Sequence, residues 1–163
     1  MKGYVEKIIN EYPKMLKEKE HLGKQIESLE FVSAEEIIKA MSFSHEDGER
    51  VQTSGKSDKT AKIAMGYQDK LERINDELLK PMQKKYIALD TEITFLESSI
   101  RCLPDNLSEI MIGLVLEGHT WEEVSNEMFV SVTKLQKLRK AAIEDLVRVY
   151  QRREAQQVRV LLS

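Results

Sequence analysis

Cysteine is almost absent from this 163-residue sequence, where Cys102 stands alone. No disulfide can close within the chain, which suits a reducing compartment. Histidine is nearly as scarce. His21, His45 and His119 are far apart with no second cysteine near them, so the spacing of a zinc site is missing. No run approaches the roughly 20 apolar residues that a membrane span needs. The opening Met1-Lys2-Gly3-Tyr4-Val5-Glu6-Lys7 lacks the apolar core of a secretory leader. A cytoplasmic protein without membrane association is the expectation. Strand-like alternation is missing too, since Val, Ile and Thr do not gather into short runs between turn residues. Paired carboxylates, a nucleophile–base set and a metal cluster are all absent, which argues against an enzyme and against a cofactor or metal. Two short matches fail on context. Gly55-Lys56-Ser57 would need glycine at position 50, where Arg50 stands, and no strand precedes it. Ser131 and Lys134 match the Ser-x-x-Lys nucleophile pattern without any partner motif.

The chain is 41% apolar and 33% charged, too apolar for disorder and too charged for a membrane protein. Helix formers dominate and glycines are few, so the fold class is all-α. Val5, Ile8, Tyr12, Met15, Leu22, Ile26 and Leu29 recur at helical spacing, a heptad-like seam interrupted by Lys19. Pro13 lies within it and either kinks the helix or begins a new one. Residues 44–57 are polar with two glycines and read as a loop, after which Ser57 or Asp58 could cap a helix. A second stripe follows: Ala64, Tyr67, Leu71, Ile74 and Leu78, then Met82, Tyr86, Leu89, Ile93, Leu96 and Ile100. Pro81 should kink or divide that segment. Two apolar stripes can cover each other in an antiparallel, coiled-coil-like hairpin, and a second copy of the chain is the alternative partner. Leu103-Pro104-Asp105 ends the segment and marks a boundary between residues 1–102 and 103–163.

Residues 105–153 are sharply punctuated. A first helix spans about Asp105 to Glu117 and buries Leu107, Ile110, Met111, Leu114 and Val115, and Gly118 suits a left-handed stop. Thr120 to Glu123 form a capping box, opening a short helix that ends near Met128. Phe129-Val130-Ser131 is a tight turn, Ser131 caps the next helix, and that helix runs from Val132 past Tyr150. Two short-linked helices, the second basic, are helix-turn-helix geometry. With Val124, Val130, Leu135 and Leu138 inside, the outer face carries Thr133, Lys134, Gln136, Lys137 and Lys140. Lys and Gln donate to base edges, and Thr and Lys hold phosphates. Backbone N–H groups at residues 120–122 and 131–133 would add phosphate sites. Trp121 is either a hydrophobic lid on the module or a phosphate contact through its indole N–H. Charge is distributed to match: residues 1–129 carry −8 and residues 130–163 carry +5. Val158, Val160, Leu161 and Leu162 should extend the last helix and either dock on the hairpin or contact a second copy.

Three runs carry a resemblance: 103–110 (Leu-Pro-Asp-Asn-Leu-Ser-Glu-Ile), 116–124 (Leu-Glu-Gly-His-Thr-Trp-Glu-Glu-Val) and 130–146 with its Val-Ser-Val-Thr-Lys-Leu and Ala-Ala-Ile-Glu-Asp-Leu. Together they resemble region 4 of the sigma-70 factors, whose third helix enters the major groove of the promoter −35 element. Nearly the whole chain, including the run 50–58 (Arg-Val-Gln-Thr-Ser-Gly-Lys-Ser-Asp) before a long helix, also resembles small phage and prophage proteins of Gram-positive bacteria that sit beside RinA/ArpU-type late transcription regulators. The resemblance implies a sequence-specific DNA-binding transcription regulator of late or prophage genes. It puts Thr133, Lys134, Gln136 and Lys137 on the DNA-reading face and Ser131 at a phosphate; Thr120, Trp121 and Lys140 join the expected DNA contacts from the reading of caps and helix faces above. Two positions depart from the sigma pattern. Phe129 stands where glycine is common, and Arg139 replaces an acidic residue. Segments that melt promoter DNA have no counterpart, so a complete sigma activity is not implied.

One recognition helix supplies two or three base contacts of about 1–3 kcal/mol each. That meets only the low end of the roughly 4–10 kcal/mol separating specific from non-specific binding. A homodimer, or binding beside RNA polymerase, would supply the remainder. Two other classes remain open: a small terminase-like packaging subunit, and a protein-interaction module with a vestigial helix-turn-helix.

Overall fold

The structure, a computed structural model, describes residues 1–43, 66 and 68–162. Among these residues every regular element is helical and none is a strand. The expected loop at 44–57, the caps at Ser57 and Asp58, and Ala64 and Tyr67 lie outside the described residues. Helix α1 spans Lys2–Phe43. A second helical path runs over 68–74, passes through a π-helical turn at Asn75–Leu79 and continues as α2, Lys80–Arg101. Three more helices follow: α3 (Asp105–Met111), prolonged by a π-helical turn at Ile112–Leu116; α4 (Trp121–Glu127); and α5 (Val132–Leu162).

The prolines act in two ways. Pro13 lies inside α1, which runs through it and does not restart there. The missing N–H and the ring clash cost about 3 kcal/mol. Burial of Val5, Ile8, Ile9 and Tyr12 around it offsets that penalty. Pro81 falls just after the π-helical turn, where the Lys80 N–H donates to the carbonyl of Asn75, five residues back. A proline crowds the carbonyl four residues before it, and the wider turn is the usual helical accommodation of such a break.

The chain forms two compact units: residues 1–17 with 90–163, and residues 18–89. Both divisions fall inside long helices, α1 and the path leading through α2. In the second unit Lys85 pairs with Glu18 at 2.6 Å, the Lys19 ammonium lies 5.6 Å from the centroid of the Tyr86 ring, and Gly23 sits against that ring. The Lys85–Glu18 pair, open to solvent, contributes little.

The first unit holds most of the core. Val5, Ile8, Ile9 and Tyr12 of α1 are buried within the single chain, together with Ile93, Leu96 and Ile100 of α2 and Ala142, Ile143, Leu146 and Tyr150 of α5. A polar anchor lies beside them. Arg153 Nη1 donates to Glu92 Oε2 at 2.8 Å, and its guanidinium covers the Phe95 ring at 4.1 Å. Phe95 in turn meets the Tyr150 ring edge-on at 4.8 Å. Burial, helped by the Glu92 charge, pushes the Tyr150 phenol well above its ordinary range. The apolar end of α5 continues the helix as expected, without the docking that is one of its two expected roles. Val158, Val160, Leu161 and Leu162 extend the helix but stay exposed instead of docking on the body of the protein. A polar stretch, Gln151 to Gln157, separates them from the last core residue, Tyr150.

Between α3 and α5 the punctuation matches the residues that carry it. Gly118 takes φ 70°, a left-handed stop that costs glycine nothing. The turn between α4 and α5 includes Phe129 at φ 53°. An L-residue held there loses roughly 1–2 kcal/mol. Phe129 gains no burial in return, being 94% exposed.

Two expected outcomes follow from this packing. Tyr12 donates to Glu97 Oε1 at 2.7 Å, and burial, followed by that bond and the Glu97 charge, pushes its phenol up to about 12 from an ordinary 10. The neutral phenol is therefore favoured in the fold. Its stabilisation is complete below pH 10 and is lost as pH rises toward 12. Urea unfolding at pH 9 and 11 should show a smaller loss of stability in Tyr12→Phe than in the parent, and an equal loss would contradict the assignment. Phe129→Gly should raise the unfolding free energy by up to about 1 kcal/mol, the left-handed penalty less the extra chain entropy of glycine. A fall in stability would mean that the phenyl ring makes contacts its exposure does not reveal.

Candidate nucleic-acid interface

Three residues decide how the C-terminal helices meet. Ile110 of α3, Val124 of α4 and Leu135 of α5 form one buried cluster, with Leu114, Trp121, Met128, Val130 and Leu138 packed around it. Gly113 lets α4 approach closely, since a Cβ there would lie 3.0 Å from Val124 Cγ2. α3 and α4 both pack on α5.

Side chains close each junction. The Glu123 N–H donates to Thr120 Oγ1 at 3.3 Å, and the Thr120 N–H donates to Glu123 Oε2 at 2.6 Å, completing the capping box. The Thr120 N–H holds the Glu123 carboxyl below the usual carboxylate range. Ser125 Oγ donates to the Val130 carbonyl at 2.6 Å, tying α4 to the turn. Ser131 Oγ accepts from the Lys134 N–H at 3.3 Å and caps α5. A four-residue turn, 128–131, thus separates α4 from α5.

With Leu135 fully buried, the 3.6-residue period turns its neighbours outward. Thr133, Lys134, Gln136, Lys137 and Lys140 are all exposed. Among the described residues, no carboxylate pairs with Lys134, Lys137 or Lys140. Other helical cations are engaged: Lys24 with Glu20, Lys80 with Asp76, Arg148 with Asp145, Arg153 with Glu92. The first turns of α5 therefore carry free positive charge.

The other sequence-selected residues are placed as follows. Ser131 is exposed at the α5 cap, and Thr120 is exposed at the α4 cap, where its N–H and hydroxyl are both engaged with Glu123. That use, and the acidic Glu122 and Glu123 in the first turn, leave the start of α4 poorly suited to an anion, against the expectation for residues 120–122. Trp121 is half-buried on the cluster, and the Arg139 guanidinium lies 5.9 Å from its ring centroid. Sequence reasoning missed two residues near this face. Lys2, Glu6, Trp121, Gln136, Arg139, Lys140 and Ile143 line a groove of about 380 Å³, and all belong to one compact unit. Arg139 carried a signal, because it departs from the sigma-factor pattern. Lys2 carried none.

Among the described residues no group of three or more His, Cys, Asp or Glu side chains could hold a metal ion, and no helix is long and apolar enough to cross a membrane. Comparison with protein-family models, with curated proteins and with solved structures gives no match.

Proposed function

We propose that this chain is a sequence-specific DNA-binding transcription regulator that reads the major groove with the first turns of α5. α4, the turn at 128–131 and α5 form its helix-turn-helix, sigma region 4-like in sequence. The observation that carries the reading is the unpaired, outward row of Thr133, Lys134, Gln136, Lys137 and Lys140 at the start of a helix capped by Ser131. A helix with side chains is roughly 10–12 Å across, and the major groove is about 12 Å wide. Such a row can donate to base edges and phosphates at once. Duplex DNA has the complementary charge and shape.

Affinity arithmetic shapes the mechanism. Two or three base contacts give the low end of regulatory specificity, so the protein acts as a homodimer or beside RNA polymerase. By its sequence resemblance its targets are phage late or prophage genes, and its place of action is the cytoplasm.

An electrophoretic shift assay on duplex DNA from upstream of its own operon tests this. The parent chain should bind in a salt-sensitive manner, with affinity falling steeply between about 50 and 200 mM salt. Lys134→Glu with Lys137→Glu should weaken binding at least about thirtyfold, the low estimate of about 2 kcal/mol for loss of two contacts. Absence of salt-sensitive binding by the parent, or full binding by the double variant, would overturn the reading.

A further inference from the structure

We propose that the groove bounded by the start of α1, Trp121 and the Gln136–Ile143 flank of α5 seats the phosphate backbone of the bound duplex, with Lys2 and Arg139 holding its phosphates. The proposal rests on the DNA-reading assignment of α5 and adds a strand-binding surface to it.

Geometry gives the first argument. A helix that fills the major groove must set its flanks against the two bordering backbones. The groove is such a flank, because Gln136 and Lys140 belong both to it and to the reading face. Charge gives the second. Lys2, Arg139 and Lys140 line it against one carboxylate, Glu6. Arg139 is half-buried with its guanidinium near the Trp121 ring. A cation–π contact of that kind draws the guanidinium toward the groove wall and leaves its N–H donors for a phosphate. Lys2 supplies the third argument. It opens α1, which has no acidic residue in its first turn, and a cation there is disfavoured by the helix dipole. A phosphate in the groove would turn that disfavoured charge into a contact. These contacts go to the backbone, so they position the protein without reading sequence.

The test uses the full chain, the upstream duplex and a scrambled duplex of equal length, each titrated over a range of salt. Lys2→Gln with Arg139→Gln should reduce the slope of log K against log salt by about 1.8, close to 0.9 for each lost phosphate. Affinity for both duplexes should fall by the same factor, so the preference between them persists. Arg139→Lys in the Lys2→Gln background keeps the charge at that position and should recover most of one contact's slope relative to the double variant. Glu6→Gln should act in the opposite direction and tighten both duplexes. Thermal melts of each variant identify any loss of folding, in which case Lys2→Gln and Glu6→Gln, on an exposed and a half-exposed side chain, decide alone. An unchanged slope, an unaltered or weakened Glu6→Gln, or a loss of preference without loss of affinity would overturn the proposal while leaving α5 as the reading helix. Failure of the parent chain to bind either duplex would overturn both.

Discussion

Burial of Leu135 against Ile110 and Val124 is the constraint from which the C-terminal architecture follows. Each of these side chains contributes on the order of 1.5–3 kcal/mol by leaving water. Their common contact fixes the rotation of α5 about its own axis. Once Leu135 points inward, helical periodicity sends Thr133, Lys137 and Lys140 outward, with no contact of their own to hold them there. The surface chemistry is thus a by-product of core packing. A slip of one residue in the register of α5 would bury Lys134 or Gln136 and expose Leu135, an error the core penalises twice.

The remainder of α5 is held by other means. Arg153, Glu92, Phe95 and Tyr150 tie its middle turns to α2 through a charge pair, a cation over a ring and an edge-on ring contact. A half-buried ion pair is a modest source of stability, but its geometric demands fix which turn of α5 meets α2. Ile143, Leu146 and Tyr150 then align along one side. Leu135, within the cationic turns, and Tyr150, about four turns further on, fix α5 at two points, so the cationic face is held in a defined orientation.

Much of this was legible in the residues because it depends on short-range chemistry. Thr120 and Glu123 are three apart and can reach each other whatever the rest of the chain does, as can Ser131 and the Lys134 N–H. Gly118 needs no tertiary information to suit a left-handed stop. The all-helical character follows from spacing repeated along the whole chain. Other features depend on long-range or energetic balance and left no comparable mark. The groove pairs Lys2 with Arg139, residues at opposite ends of the sequence, which no local pattern can link. The π-helical turns at Asn75–Leu79 and Ile112–Leu116 move a hydrogen bond to the carbonyl five residues back, Lys80 N–H to Asn75 and Glu117 N–H to Ile112, a change that residue spacing does not announce. Pro13 read as a possible break, because the burial of Val5, Ile8, Ile9 and Tyr12 that outweighs it is a property of packing. Phe129 was visible as an oddity, but its left-handed backbone required the turn itself.

Amide chemical-shift mapping of the isotopically labelled full chain, titrated with its upstream duplex, tests the central claim most directly. The account predicts the largest perturbations over residues 131–140, extending to the Trp121 indole. Perturbations concentrated on the helical path 68–101, with residues 131–140 unmoved at saturation, would contradict it.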